Sequence, residues 1–221
     1  MSRKLLTSVA SLVALAASIV VPAIASAGPV LTETLATVVP AGAKIHATNT
    51  VTIAFTSTPE IRCDTSSWTG EVVTNTGTLF EITVTKATFE DHGSKPCTKV
   101  GGGTATVTTE IATTDWCIKS SGGGTDKFTL KGGKCGAAAT ALNFTLDIGA
   151  MACTYSRGAS EPVEGTFSTG PGPIDTEGAV FSFSEQLFKK TGGGALCPTD
   201  GKLDGAYDIG TDNSLVAIFV S

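Results

Sequence analysis

The chain has 221 residues, of which 41% are hydrophobic and only 6% aromatic, and its net charge at pH 7 is −5. This acidic balance argues against recognition of nucleic acid or of an anionic membrane by overall charge. The length suits a single domain with its own hydrophobic core.

The first 27 residues have the features of a secretory signal peptide. Arg3 and Lys4 give a basic start, an apolar or small stretch follows over residues 5–21, and Ala25-Ser26-Ala27 offers small residues for cleavage. The apolar stretch is shorter and more interrupted than a transmembrane helix, which needs about 20 predominantly apolar residues. We therefore predict a secreted or cell-wall-associated protein of residues 28–221, without a membrane span. Its 13 basic and 20 acidic residues give a net charge of −7.

The mature chain alternates apolar and polar residues in short runs, which is the pattern of half-buried β-strands. Phe80, Ile82 and Val84 share one face of GTLFEITVTKATF, and TATVTTEIAT, ALNFTLDI and AVFSFSEQ repeat the pattern. The continuous apolar run SLVAIFVS predicts a strand buried on both faces. Glycine-containing turn signals separate the runs. We expect an all-β fold, an antiparallel β-sandwich or barrel of about 10–13 short strands.

The apolar parity changes within the run that begins at Phe80. Apolar positions are even through Val84 but odd at Phe89. A β-bulge or bend near residues 86–88 would return Phe89 to the core, whereas a regular strand would expose it.

Two parts of the chain, residues 61–113 and 151–210, have a similar layout. Each has a cysteine near its start, a strand with a phenylalanine near its end, a second cysteine eight or nine residues further on, and a glycine-containing turn. We interpret them as an internal duplication within a single domain, with the hairpin 115–135 between the halves. The alternative is that Thr/Gly-rich β-chains resemble themselves by composition alone.

Six cysteines in an exported chain predict three disulfides. Neighbouring cysteines are at least 18 residues apart, unlike the close pairs of structural zinc sites, so we expect no metal site and no other cofactor. Spacing alone leaves the connectivity open. If the duplication holds, equivalent cysteines pair equivalently, and the disulfides are Cys63–Cys97, Cys153–Cys197 and, as the remaining pair, Cys117–Cys135.

The leader, the segment starts IRCDTSSWTG and MACTYSRG, and the strand ends in which a phenylalanine precedes a cysteine carry a family resemblance. The mature region resembles the Thr/Gly-rich, disulfide-bearing exported β-proteins of unknown function from high-GC Gram-positive bacteria. The resemblance implies a bacterial cell-envelope or extracellular protein. It implies no activity and no functional residues.

The segment between Cys117 and Cys135 is basic in an otherwise acidic chain. Its four lysines, against one acid, are Lys119, Lys127, Lys131 and Lys134. We interpret it as a hairpin whose lysines keep its edges soluble. The alternative is a binding loop for an anionic cell-wall polymer or an acidic protein partner.

The two tryptophans are candidates for carbohydrate contact. Trp68 and Trp116 could form a sugar-stacking face, whereas a lone tryptophan beside a cysteine more often packs against a disulfide. A glycosidase would also need two carboxyl groups about 5–9.5 Å apart in a cleft.

The histidines and the aspartate run give no catalytic or metal motif. His92 lies beside Asp91 in a tight turn, where neighbours rarely point at one another, so we predict a surface-loop histidine. The four aspartates that are spaced four apart do not match a calcium-binding EF-hand loop. They are Asp200, Asp204, Asp208 and Asp212, and in a strand Asp204 and Asp208 would lie on the solvated face.

From the sequence we predict an exported, non-enzymatic all-β protein with a structural or binding role. The first alternative is a secreted, glycosidase-like hydrolase that uses paired carboxylates. The second is an inhibitor or effector that presents the Cys117–Cys135 loop.

Overall fold

The computed structural model describes residues 29–34, 37–57, 59–121, 126–168, 179–211 and 219–220. Within these ranges the regular structure consists of seventeen β-strands and one short 3-10 turn, Glu110–Ala112, so the predicted all-β fold is confirmed. These ranges contain no helix with the length and apolar character needed to cross a membrane.

The strands of the N-terminal half are β1 (Leu31–Thr34), β2 (Thr37–Val38), β3 (Lys44–Asn49), β4 (Ile53–Thr56), β5 (Ile61–Cys63), β6 (Thr65–Thr76), β7 (Leu79–Glu90), β8 (Cys97–Lys99) and β9 (Thr104–Thr109). The strands of the C-terminal half are β10 (Trp116–Ser120), β11 (Lys127–Gly132), β12 (Leu142–Ile148), β13 (Met151–Arg157), β14 (Val163–Phe167), β15 (Val180–Gly192), β16 (Asp200–Thr211) and β17 (Phe219–Val220).

Alternation predicts about 10–13 strands, and the described residues contain seventeen. Four of them, β2, β5, β8 and β17, have only two or three residues, which is too short to show a period of two. The prediction of short strands also needs correction, because β6, β7, β15 and β16 have 12 or 13 residues. Bulges reset the parity inside β7 and β15, so their sequence patterns read as shorter pieces.

The hydrogen-bonded strand order closes on itself, and all pairings in it are antiparallel. β15 and β16 are not neighbours in this order, but they also pair with each other as a long hairpin. This additional pairing divides the closed order into two rings of strands that share the hairpin. The first ring adds β3, β6, β7, β10, β11 and β14 to the hairpin. The second ring adds β4, β5, β8, β9, β12 and β13.

All three predicted disulfides are present: Cys63–Cys97, Cys117–Cys135 and Cys153–Cys197. They are typical of an oxidising, extracellular-type environment. The strands of residues 61–113 do not form a sheet of their own, since β6 and β7 belong to the first ring and β5, β8 and β9 to the second. The internal duplication therefore stays a prediction about the sequence.

Two predictions from the chain ends fall largely outside the described residues. The signal peptide, residues 1–27, lies wholly outside them. Of the C-terminal run SLVAIFVS only Phe219–Val220 is described as a strand, and it pairs with β1 in a small sheet of β17, β1 and β2.

The predicted irregularity in β7 is a β-bulge at Thr85. Thr69 of β6 pairs with Lys86 while the next residue, Gly70, pairs with Val84, so Thr85 is the extra residue. The bulge lies one residue before the predicted range, and Phe89 packs against the core as expected. A methyl group at Gly70 would lie 2.5 Å from the backbone carbonyl oxygen of Thr83, so this close approach requires glycine.

We predict that Gly70→Ala lowers the free energy of unfolding by about 1–3 kcal/mol, because the strand backbone must shift to relieve the contact. Urea denaturation of the disulfide-bonded protein measures the change. Gly77→Ala in the adjoining turn is the matched control, since no atom lies within 4 Å of the added methyl group. Equal unfolding free energies for the two variants would contradict this account of the bulge.

Candidate ligand-binding site

An apolar cavity of about 60 Å³ lies inside the closed sheet. Seven phenylalanines, both tryptophans and Tyr207 line it, which is ten of the fourteen aromatic residues in the chain. These side chains come from strands of both rings and from the β15–β16 hairpin that the rings share. The small aromatic content of the chain is therefore concentrated around one internal space.

Two bulges allow both odd- and even-numbered residues of one strand to face this cavity. In β7 the bulge at Thr85 turns Ala87 and Phe89 inward. In β15, Phe183 pairs with Gly205 and Gln186 with Leu203, so one extra residue lies between them. Phe183 before this bulge and Phe188 after it consequently line the same cavity.

Aspartate 204 holds the bulge of β15 in place. Its Oδ1 atom accepts the backbone N–H of Glu185 at 2.6 Å and the hydroxyl of Ser184 at 3.0 Å. Glu185 has a φ of 51°, a left-handed conformation that non-glycine residues rarely adopt. Asp204 compensates for that strain by pairing the backbone N–H that the bulge removes from the ladder.

The one phenol in the cavity wall is neutral and hydrogen-bonded. The hydroxyl of Tyr207 lies 2.7 Å from Ser66 Oγ, and Ser66 Oγ donates to the carbonyl oxygen of Thr88 at 2.9 Å. Tyr207 therefore donates to Ser66. Burial raises the pKa of Tyr207, and the hydrogen bond with Ser66 opposes this only partly, so the phenol stays protonated.

A groove of about 600 Å³, lined by both polar and apolar side chains, runs along the outside of the cavity. Its walls are consecutive residues of β7 (85–90) and of β9 (106–109), so strand edges rather than strand faces border it. Among the described strands, β7 pairs only with β6 beyond Val84, and β9 pairs only with β12 beyond Ala105. Backbone N–H and C=O groups of two strands thus face the groove.

A further β-strand cannot fit along the whole length of the groove, because part of the groove is too narrow. Some Cα atoms of β7 and β9 lie within 8 Å of each other, whereas a strand inserted between them would need a separation of about 9.6 Å, twice the usual strand spacing. Ala87, Phe89 and Thr109 border both the groove and the cavity. These three residues therefore form the boundary between the groove and the cavity.

The lysines of the Cys117–Cys135 segment lie on the outside of the first ring. Lys119, Lys131 and Lys134 line a surface pocket of about 280 Å³ beside the disulfide, and Lys127 is exposed outside it. Lys119 forms an ion pair with Glu81 at 2.7 Å. An ion pair with Lys44 lowers the pKa of Glu71, and Lys134 adds to that effect. Neighbouring carboxylates thus partly offset the basic charge.

The body of this hairpin is part of the sheet rather than a projecting loop. β10 pairs with β7 on its other edge, and β11 pairs with β14. Residues 122–125 at the tip lie outside the described ranges. An inhibitor-like presentation of the whole loop therefore has no support from the strand pairing.

The tryptophans line the apolar cavity instead of an open surface. Trp68 is 7% exposed and Trp116 is half-buried. Their positions give no support to a sugar-stacking face, and carbohydrate contact stays a prediction. The expected alternation of the aspartate run is present, since Leu203, Tyr207 and Ile209 are buried, but Asp204 and Asp208 on the other face are half-buried rather than solvated. Asp212 lies outside the described residues.

One constellation was missed by sequence reasoning. Asp64, Asp91 and His92 meet on the surface near the end of β7, and the imidazole of His92 is 82% exposed, as expected of a loop histidine. The hydroxyl of Thr98, followed by the backbone N–H and side chain of His92, lowers the pKa of Asp91 to about 2. The missing element was Asp64, which the Cys63–Cys97 disulfide brings close to Thr98.

In comparisons with known proteins, no family model, curated protein or solved structure matches this chain. The role of the site is therefore argued from its geometry. That geometry combines an apolar aromatic cavity with a groove of mixed polar and apolar lining beside it.

We predict that Ser66→Ala is more destabilising than Tyr207→Phe. Removing the serine hydroxyl leaves the buried phenol of Tyr207 without its partner, which costs about 1–3 kcal/mol. Removing the tyrosine hydroxyl leaves Ser66 bonded to the Thr88 carbonyl and costs about 1 kcal/mol. Thermal and urea unfolding of both variants test the order, and the reverse order would show that Tyr207 is not held by Ser66.

Proposed function

We propose that this chain is an exported, non-catalytic binding protein whose ligand inserts a small apolar group into the aromatic cavity. The observation that carries the proposal is the cavity lined by ten aromatic side chains beside a groove. Protein interiors normally leave few voids larger than a water molecule. Aromatic residues that served only to fill a core would be expected to close this one.

The size of the cavity limits the group that it accepts. A water molecule needs about 10–15 Å³ of such space, and an apolar cavity of about 150 Å³ binds benzene. A cavity of about 60 Å³ therefore suits a short or branched alkyl group, unless side chains move to enlarge it.

The groove is suited to the polar part of the same ligand. Threonines form much of its wall, together with the strand edges of β7 and β9, and its two lysines, Lys86 and Lys95, outnumber its one acid, Glu90. We therefore propose an amphipathic ligand, with a small apolar end in the cavity and a polar or anionic remainder in the groove.

Binding without catalysis is supported by the chemistry of the cavity wall. Among the described residues that line the cavity there is no carboxylate, histidine or cysteine, the groups most used in acid–base and nucleophilic catalysis. Asp64 and Asp91 border neither the cavity nor the groove. The hydrolase alternative thus lacks a specific observation in its favour. Export is supported by the three disulfides and the leader sequence.

Ligand binding is tested with isovalerate as the probe and the fluorescence of Trp68 and Trp116 as the signal, since both indoles line the cavity. We expect a saturable change in emission. Ala87→Phe should weaken binding about tenfold or more, equivalent to about 1.4 kcal/mol, because the new ring fills the shared border of groove and cavity. Val73→Phe, at an exposed position of β6, is the matched control and should bind like the wild type.

A second variant, Leu142→Ala, tests the proposal independently if Ala87→Phe fails to fold. Leu142→Ala enlarges the cavity and should strengthen binding of the bulkier probe cyclohexylacetate relative to isovalerate. Absence of saturable binding, or unchanged probe preference in Leu142→Ala, would contradict the proposed function.

A further inference from the structure

We propose that Asp64, Asp91 and His92 form a binding site for a divalent transition-metal cation, with zinc as the best fit. The site is distinct from the aromatic cavity and does not depend on the proposed ligand. One potential ligand atom from each of the three side chains lies within 4.8 Å of the other two. An imidazole and two carboxylates from two segments, the β5–β6 junction and the turn after β7, thus converge at one point of the surface.

His92 Nδ1 lies at nearly tetrahedral distances from both carboxylates, and the ligand atoms of the two carboxylates lie within 4.8 Å of each other. His92 Nδ1 lies 3.1 Å from Asp91 Oδ1 and 3.6 Å from Asp64 Oδ2. With metal–ligand bonds of about 2.0–2.2 Å, two ligands of a tetrahedral zinc ion are about 3.3–3.6 Å apart. Small rotations of the side chains would therefore bring all three atoms to bonding distance of one cation.

Hydroxyl groups outside the triad orient both carboxylates. Thr98 Oγ1 donates to Asp91 Oδ2, and Thr52 Oγ1 donates to Asp64 Oδ1 at 2.8 Å. These bonds occupy the oxygen of each carboxylate that does not face His92. Asp91 Oδ1 also accepts the backbone N–H of His92 at 2.7 Å, which leaves it a second lone pair for a metal. Such outer partners are a regular part of metal sites, where they fix the direction of the ligands.

The backbone around the triad is held by covalent and hydrogen-bonded links. Asp64 follows Cys63 and Thr98 follows Cys97, so one disulfide joins the two segments. Asp91 and Lys95 pair with each other and close the turn that carries His92. The three ligands therefore come from segments whose separation is fixed by the fold.

The ligand set favours zinc over calcium or magnesium. Imidazole suits zinc and similar transition metals, whereas calcium takes six to eight oxygen ligands and magnesium prefers an octahedral oxygen shell. The exposure of His92 leaves the fourth position of a tetrahedral site open to water or to a ligand group. The competing explanation is an ion pair between a protonated His92 and the two carboxylates, which would require no metal.

The test is calorimetric titration of the full, disulfide-bonded chain with zinc chloride alone at neutral pH, after removal of metals with a chelator. We expect one zinc ion per chain. His92→Ala and Asp64→Asn should each weaken binding by more than about 100-fold, and Thr98→Val by about 10-fold through the loss of an orienting hydrogen bond. His46→Ala, at the only other histidine of the sequence, is the matched control and should bind zinc like the wild type.

Cobalt(II) substitution provides a readout that an ion pair would not give. Tetrahedral coordination should produce visible d–d absorption in the wild type and in His46→Ala, and none in His92→Ala. The proposal is overturned if the wild type binds no zinc, if His92→Ala binds it as tightly as the wild type, or if His46→Ala loses it. Each variant is compared with the wild type in its unfolding transition, so that loss of the fold is recognised.

Discussion

The hydrogen-bonded hairpin of β15 and β16 is the constraint on which the rest of the structure depends. It closes both rings, because β15 pairs with β14 at one end and β13 at the other, while β16 pairs with β3 and β4. The bulge at Ser184–Glu185 lies between the two sets of partners, and Asp204 stabilises it. Since the inward face changes parity at the bulge, Phe183 and Phe188 both reach the interior. One local irregularity thus joins two rings around a common aromatic core.

A second bulge has the corresponding role on the opposite side. β7 pairs with β10 only as far as Val84 among the described residues, and the bulge at Thr85 follows immediately. The remainder of β7 has a free edge toward β9, and the groove lies along this edge. The same bulge turns Phe89 into the cavity wall. The groove and its apolar end therefore have one structural cause, which supports their assignment to one ligand site. The candidate zinc ligands lie beyond the end of this strand.

Local pattern predicted the local features of this fold well. Alternation identified the inward faces of β7 and β12, and the parity change at Phe89 predicted a bulge. The disulfides that follow from treating residues 61–113 and 151–210 as equivalent are all present. Alternation shows which face of a strand is buried but not which strand lies beside it. The cavity depends on that missing information, because its wall combines residues as distant as Phe55 and Tyr207. The approach of Asp64 to Asp91 and His92 was missed for the same reason, since these residues meet only through the pairing of distant strands.

The proposed ligand site requires a water-free apolar cavity inside the closed sheet. The most direct test of this requirement is a crystal structure of the protein under xenon pressure, because xenon enters apolar cavities that exclude water. We predict a xenon site within the aromatic wall, in contact with Phe144 and Phe188, and no ordered water there. A cavity that stays without xenon, or that holds hydrogen-bonded water, would contradict the proposed site.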